Sequence, residues 1–257
     1  MLKNINNYYY KNMKKFYQSV SLLPAPFIQI DVPGLWIRDY MPIKNSYDNL
    51  VGFYYQCKYL DEMGEPSFDV ESIWTTYCDN VYHARIVADG AHFMEIDRHW
   101  LVSETVANEN AIFPRSSLSE YLERLLGKEI IWIHPMPDDP FGHLDGILVS
   151  LGMNKVGTYS NLFYRNYLVK LKGTLISYGY EVIQFPVVFV DDGSLSATGL
   201  ILNFATDARN IYLPIEEKES EAVNGLRFYL RKGVTWVKGV APFLSLGGGL
   251  HCLTWEK

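Results

Sequence analysis

Gly247-Gly248-Gly249-Leu250-His251-Cys252 closes a series of five short polar stretches spread along the chain. Three successive glycines permit positive φ and close backbone approach, so the chain can turn sharply there and present the Cys252 thiol to a cleft. The earlier stretches are Arg38-Asp39, Asp89-Gly90, Gly142-His143-Leu144-Asp145 and Asn203. The anchors Asp39, Asp89, His143, Asn203 and Cys252 fall 50, 54, 60 and 49 residues apart. A recurrence near 50 residues suggests five similar supersecondary units, each delivering one polar group to a shared place.

Between the anchors, strand-like and helix-like segments alternate. Short apolar runs predict strands at Phe27–Val32, Arg85–Ala88, Trp100–Ser103, Ile130–His134, Ile147–Leu151, Val182–Phe185, Gly199–Ala205 and Thr235–Gly239. Helical spacing of apolar residues predicts helices at Ser117–Leu126, Leu162–Tyr178 and Glu217–Arg231. Strands interleaved with such helices make an α/β chain. No Pro/Ser/Gly-rich linker divides it, so residues 1–257 are expected to form one domain.

The composition narrows the function. With 48% hydrophobic and 20% charged residues the chain can bury a core and is not a polyelectrolyte. A net charge of −6 argues against nucleic-acid binding, which needs a basic face to displace counterions, and is compatible with a cationic small molecule. No apolar run approaches the roughly 20 residues of a membrane span, and the lysine-rich start lacks the apolar stretch of a signal peptide. Cys57, Cys78 and Cys252 are widely spaced with no C-x-x-C pair, which predicts reduced thiols, a cytoplasmic setting and neither a zinc knuckle nor a disulfide framework. No metal site and no cofactor are read from the chain. Monomer and homodimer both stay open.

Each anchor has an ordinary reading when taken alone. A cysteine behind a glycine turn is most often a buried, inert thiol. Arg38-Asp39 reads as a surface ion pair, Asp89-Gly90 as a strand-ending turn, and His143-Leu144-Asp145 as a solvent-facing pair on one face of an extended strand. Asn203 stands out more, because an amide in the apolar run Leu200-Ile201-Leu202-Asn203-Phe204 needs partners if buried. Together the residues make a chemical set. A guanidinium is planar and cationic, and carboxylates such as Asp39 and Asp145 match its N–H donors. A Cys252 thiolate can attack the central carbon, and His143 can move protons. The carboxylates raise the thiol pKa, so the thiolate is expected to form with cationic substrate bound or in exchange with His143.

The stretches Trp36-Ile37-Arg38-Asp39-Tyr40-Met41-Pro42, Asp89-Gly90-Ala91, His143-Leu144-Asp145, Ile201-Leu202-Asn203-Phe204 and Gly247-Gly248-Gly249-Leu250-His251-Cys252-Leu253-Thr254 resemble, in order, the motifs of the agmatine deiminase and porphyromonas-type peptidylarginine deiminase family. Met41 and Ala91 stand where that family has glycine. The resemblance implies a pentein fold, five ββαβ modules around a pseudo-fivefold axis. It also implies a hydrolase that turns a guanidine (agmatine or a related small arginine compound) into a ureido product and ammonia. On this resemblance Cys252 forms a thiouronium adduct, His143 is general acid and then base, and Asp89 orients His143. Asp39, Asp145, Asn203 and Trp36 would bind the substrate. The same fold also hosts amidinotransferases and non-catalytic guanidine binders, which are the competing expectations. A papain-like hydrolase is disfavoured, because the aspartates would repel an acyl oxyanion.

Overall fold

The computed structural model describes residues 30, 34–56, 69–137, 139, 141–160, 164–186, 202–213, 220–237, 240–244 and 248–256. Their regular elements form one pattern four times. The first sheet joins β1 (Ile43–Lys44), β2 (Leu50–Tyr54) and β3 (Val81–Val87). The second joins β4 (Phe93–Ile96), β5 (His99–Ser103) and β6 (Glu129–Ile133). The third joins β7 (Val149–Gly152), β8 (Lys155–Ser160) and β9 (Glu181–Pro186). The fourth joins β10 (Ala205–Thr206), β11 (Asn210–Leu213) and β12 (Gly233–Trp236). In every sheet the first pair is antiparallel and the second parallel.

A parallel pair needs a crossover, and helices supply it each time. After a short α1 (Ile37–Tyr40), α2 (Val70–Tyr77) links β2 to β3. Two helices, α3 (Glu104–Glu109) and α4 (Arg115–Leu126), link β5 to β6. Helix α5 (Arg165–Ser177) links β8 to β9, and α6 (Glu221–Leu230) links β11 to β12. The last described helix is α7 (Ala241–Leu244). The described chain therefore holds four ββαβ units whose first strands begin 50, 56 and 56 residues apart. Four such units, against the five expected, are seen among the described residues.

Local sequence explains the elements. Helix α4 buries Leu118, Leu122 and Leu126, one residue every four along one stripe, and ends on Gly127, whose φ of 87° closes the last turn. Asp69 and Ser220 accept backbone N–H bonds at the starts of α2 and α6. Helix α5 buries Leu168, Leu171 and Leu175. Neighbouring units share apolar cores. One cluster joins Val51 and Ala84 of the first sheet to Trp100 and Leu122 of the second unit. Another joins Leu101 of the second unit to Leu148 and Leu175 of the third and Ile211 and Leu226 of the fourth. None of the described helices is long and apolar enough to cross a membrane.

Two local readings differ from expectation. His143-Leu144-Asp145 does not start a strand: the chain turns at Leu144–Ile147, and β7 begins only at Val149. The apolar residues there are buried because the turn dives into the core, with Leu144 and Ile147 in the large cluster, and not because the backbone is extended. Asn203 likewise lies in a turn just before the two-residue β10, while Gly199–Ile201 lie outside the described residues. Phe27–Val32 and Cys57 also lie outside them, apart from Ile30.

Candidate active site

The units place their polar groups by one rule. Asp39, Asp89 and Asp145 each stand four residues before the first strand of their unit, and Asn203 stands two before β10. Each sits on a tight turn. Asp39 is in the single turn of α1, Asp89 caps a 3-10 turn at Gly90–His92, and Asp145 follows the bend at Leu144. A turn at this point aims the side chain away from the sheet and toward the neighbouring units.

Backbone hydrogen bonds join these loops to one another. Arg38 N–H donates to the Cys252 carbonyl at 3.2 Å, and Leu144 N–H to the Ala91 carbonyl at 2.9 Å. Leu250 and His251 N–H groups both donate to the Asn203 carbonyl, at 2.9 and 3.2 Å. Close approach enforces the same arrangement. A Cβ on Gly90 would lie 2.4 Å from the Arg38 carbonyl oxygen, and one on Gly249 would lie 2.7–2.9 Å from Asn203. Gly247 is outside the described residues, while Gly248 lies under the Trp36 ring, where a Cβ would meet it at 2.2 Å.

Around Cys252 the side chains converge. The residue is 6% exposed. Its Sγ accepts from Asn203 Nδ2 at 3.1 Å and its N–H donates to Asn203 Oδ1 at 3.1 Å, so one amide grips both thiol and backbone. The thiol donates to Asp145 Oδ2 at 3.4 Å. That oxygen also accepts from His251 Nδ1 at 2.7 Å, whereas Asp145 Oδ1 is buried with no hydrogen-bond partner among the described residues. His143 Nε2 donates to Asp89 Oδ2 at 3.0 Å, and its Nδ1 lies 3.9 Å from Asp39 Oδ1. Arg38 stands beside Asp145, its Nε and Nη2 buried and without hydrogen-bond partners among the described residues.

These contacts set the protonation states. Burial would lower His143, but the Asp39 charge, the Asp89 hydrogen bond and the charges of Asp89 and Asp145 outweigh it and push it up to about 10, so it is an imidazolium at neutral pH. Burial would raise Asp145, yet the His251 bond and the charges of His251, His143 and Arg38 bring it down to about 2. Burial and the charges of Asp145 and Asp39 push the Cys252 thiol well up, against the pull of the Gly249 backbone and Asn203 donors. The surrounding carboxylates thus favour a protonated thiol beside a protonated histidine.

His92 escaped the sequence reading, although it lies only three residues beyond Asp89. Its ring is buried and packs edge-on against His143, with centroids 5.2 Å apart. Asp89 N–H donates to Nδ1 at 3.1 Å, so Nδ1 must accept, and Nε2–H donates to the Phe141 carbonyl at 2.8 Å. This tautomer is neutral, consistent with the lowering by burial. Ligand atoms of Asp89, His92 and His143 approach within 4.8 Å of one another, a spacing a metal could bridge. Both His92 nitrogens are already committed, so the trio reads as a hydrogen-bonded support for His143. A lone histidine carries no signal in sequence that would separate this role from ordinary packing.

Of the residues singled out from sequence, the structure brings together Asp39, Asp89, His143, Asp145, Asn203 and Cys252. Trp36 lies alongside, half-buried over Gly248. Two nearby aromatics, Tyr40 and Trp255, are spent on packing: Tyr40 is 2% exposed, and the Trp255 indole donates to the Pro42 carbonyl at 2.7 Å.

No protein-family model and no curated protein matches the sequence. Solved structures match the fold. A C. jejuni agmatine deiminase, with a C315S substitution and substrate bound, superposes with a TM-score of 0.70 at 16% identity, covering 92% of this chain and 77% of that one. An arginine deiminase candidate from Porphyromonas gingivalis gives 0.70 at 14% identity, covering 93% and 81%. The agmatine deiminase of Enterococcus faecalis gives 0.64 at 17% identity, covering 86% and 74%. Identities this low speak for the fold alone: the chain has the mixed α/β fold of these agmatine and arginine deiminase structures.

Proposed function

We propose that the protein is a guanidine-group hydrolase that deiminates agmatine or a related small arginine-derived compound. One observation carries this reading: a thiol, an imidazolium and three carboxylates, carried by four separate loops, meet at one buried place, where Asp145 Oδ1 has no hydrogen-bond partner among the described residues. Asp145 and Asp39 would take the guanidinium N–H groups, and the bound cation would offset the carboxylate charge that keeps Cys252 protonated. The thiol proton then passes to solvent, and the thiolate attacks the guanidinium carbon. His143 gives its proton to the departing nitrogen, ammonia leaves, and a thiouronium adduct forms. The now neutral His143 takes a proton from water, whose oxygen adds to the adduct carbon. Collapse expels the sulfur, which takes the hydroxyl proton to regenerate the thiol, and leaves the neutral ureido product. Asp89 and His92 hold His143 throughout. We further propose that a fifth ββαβ module completes the ring and that the enzyme works in the reducing cytoplasm, which suits its free thiol.

The test supplies agmatine, arginine and arginyl peptides and measures ammonia and ureido product. The wild type should turn over at least one of them. Cys252→Ala should lose about 10³-fold or more, as removal of a nucleophile does, without a comparable loss of folding. Full activity in Cys252→Ala would overturn the reading.

A further inference from the structure

We propose that His251 is a positioning residue that fixes the Asp145 carboxylate for both guanidinium and nucleophile; this rests on the function proposed above. Asp145 is 3% exposed, and its two oxygens are used differently. Oδ2 takes two donors, His251 Nδ1–H at 2.7 Å and the Cys252 thiol at 3.4 Å, while Oδ1 has none among the described residues. The short bond to His251 holds Oδ2 and leaves Oδ1 as the oxygen open to a guanidinium donor.

The second part of the role concerns the thiolate. When Cys252 loses its proton, the thiol bond to Oδ2 is lost, and Sγ and Oδ2 become two anions in contact. His251 is then the one hydrogen-bond donor the described residues give Asp145. It is carried by the same turn as the nucleophile, and Asn203 pins that turn through the Leu250, His251 and Cys252 N–H groups. Carboxylate and sulfur are thereby spaced by a single backbone segment. His251 is half-buried and lines, with Arg38 and Asp145, a cavity of about 530 Å³ whose wall includes neither Cys252 nor His143. The other charged groups acting on this pair are Arg38 and His143 on Asp145, and Asp39 on Cys252.

His251→Phe keeps a ring and removes the donor, whereas His251→Asn keeps an N–H near the Nδ1 position without a titratable ring. Two readouts are taken: ammonia release, and the rate of Cys252 alkylation by iodoacetamide against pH without guanidine. His251→Phe should shift the alkylation profile upward by about one unit, a tenfold slower reaction at fixed pH, and should raise KM more than it lowers kcat. His251→Asn should restore most of both. A purely structural histidine would move the melting temperature and leave the alkylation profile in place. Coincidence of the His251→Phe and wild-type profiles overturns the proposal, as does failure of His251→Asn to restore them. If His251→Phe does not fold, His251→Ala is read in the same way. Should the wild type release no ammonia from any guanidine, the proposed function fails, while the alkylation profiles still decide the position-fixing role.

Discussion

Asn203 shows how much can rest on one side chain. Its amide holds the Cys252 sulfur with Nδ2 and the Cys252 N–H with Oδ1, and its carbonyl takes two more N–H donors. Asn203→Ala removes the two side-chain bonds and leaves a buried N–H unsatisfied, at a cost of about 1–3 kcal/mol. Denaturant unfolding should show that loss. Because the Nδ2 donor helps to lower the thiol pKa, iodoacetamide should also react more slowly with the variant at a given pH. Unchanged reactivity would mean that Asn203 only braces the backbone. The sequence marked this residue as unusual, as an amide among apolar residues, but not what it binds. Its partner is 49 residues away, and only the folded chain brings them together.

At the scale of elements, the turns that lead into each first strand carry the aspartates and the asparagine of the candidate site, and glycine is what lets the loops pack. Gly249 has backbone torsions open to any residue, but a Cβ there would collide with the Oδ1, carbonyl oxygen and Cβ of Asn203. Gly249→Ala should lift the Cys252 turn off Asn203, destabilise by about 1–3 kcal/mol as overpacking does, and cost at least tenfold in turnover. Gly173→Ala on α5 is the control: nothing lies within 4 Å of its Cβ, and the swap should add up to about 1 kcal/mol of helix stability. The pair is compared by thermal unfolding and ammonia release. Helix α4 was legible within two residues of its start, because its leucines repeat with the helix period. The His143-Leu144-Asp145 turn was not, since a buried turn and a buried strand can show the same short apolar run.

For the whole molecule, the converging charges predict a pH dependence. His143 is raised from 6.5 to about 10, so its contribution to stability is fully present below pH 6.5 and is lost as pH rises through 10. Asp145 is lowered from 3.8 to about 2, so its contribution is present above pH 3.8 and is lost as pH falls through 2. Stability from this pair should therefore be greatest between about pH 4 and 6.5. Chemical denaturation across pH should show a decline on the alkaline side that flattens in His143→Gln; an unchanged slope would count against the imidazolium. A guanidine ligand at about 100 times its Kd should stabilise the fold by about 2.7 kcal/mol by mass action, read as a rise in Tm.

The sequence by itself determined the α/β class, the recurrence near 50 residues and the residue types at the site. Each is written in local order: in the hydrophobic period, in glycines before a cysteine, in spacing along one dimension. Only the tertiary structure decided that the three aspartates occupy equivalent places four residues before a strand. It also decided that His92 packs against His143, that His251 hydrogen-bonds Asp145, and that the surrounding carboxylates raise both thiol and imidazole. Those properties depend on distances between units remote in sequence and on burial that removes water from between charges. A hydrogen bond from residue 251 to residue 145 exists only once the intervening units have folded against each other.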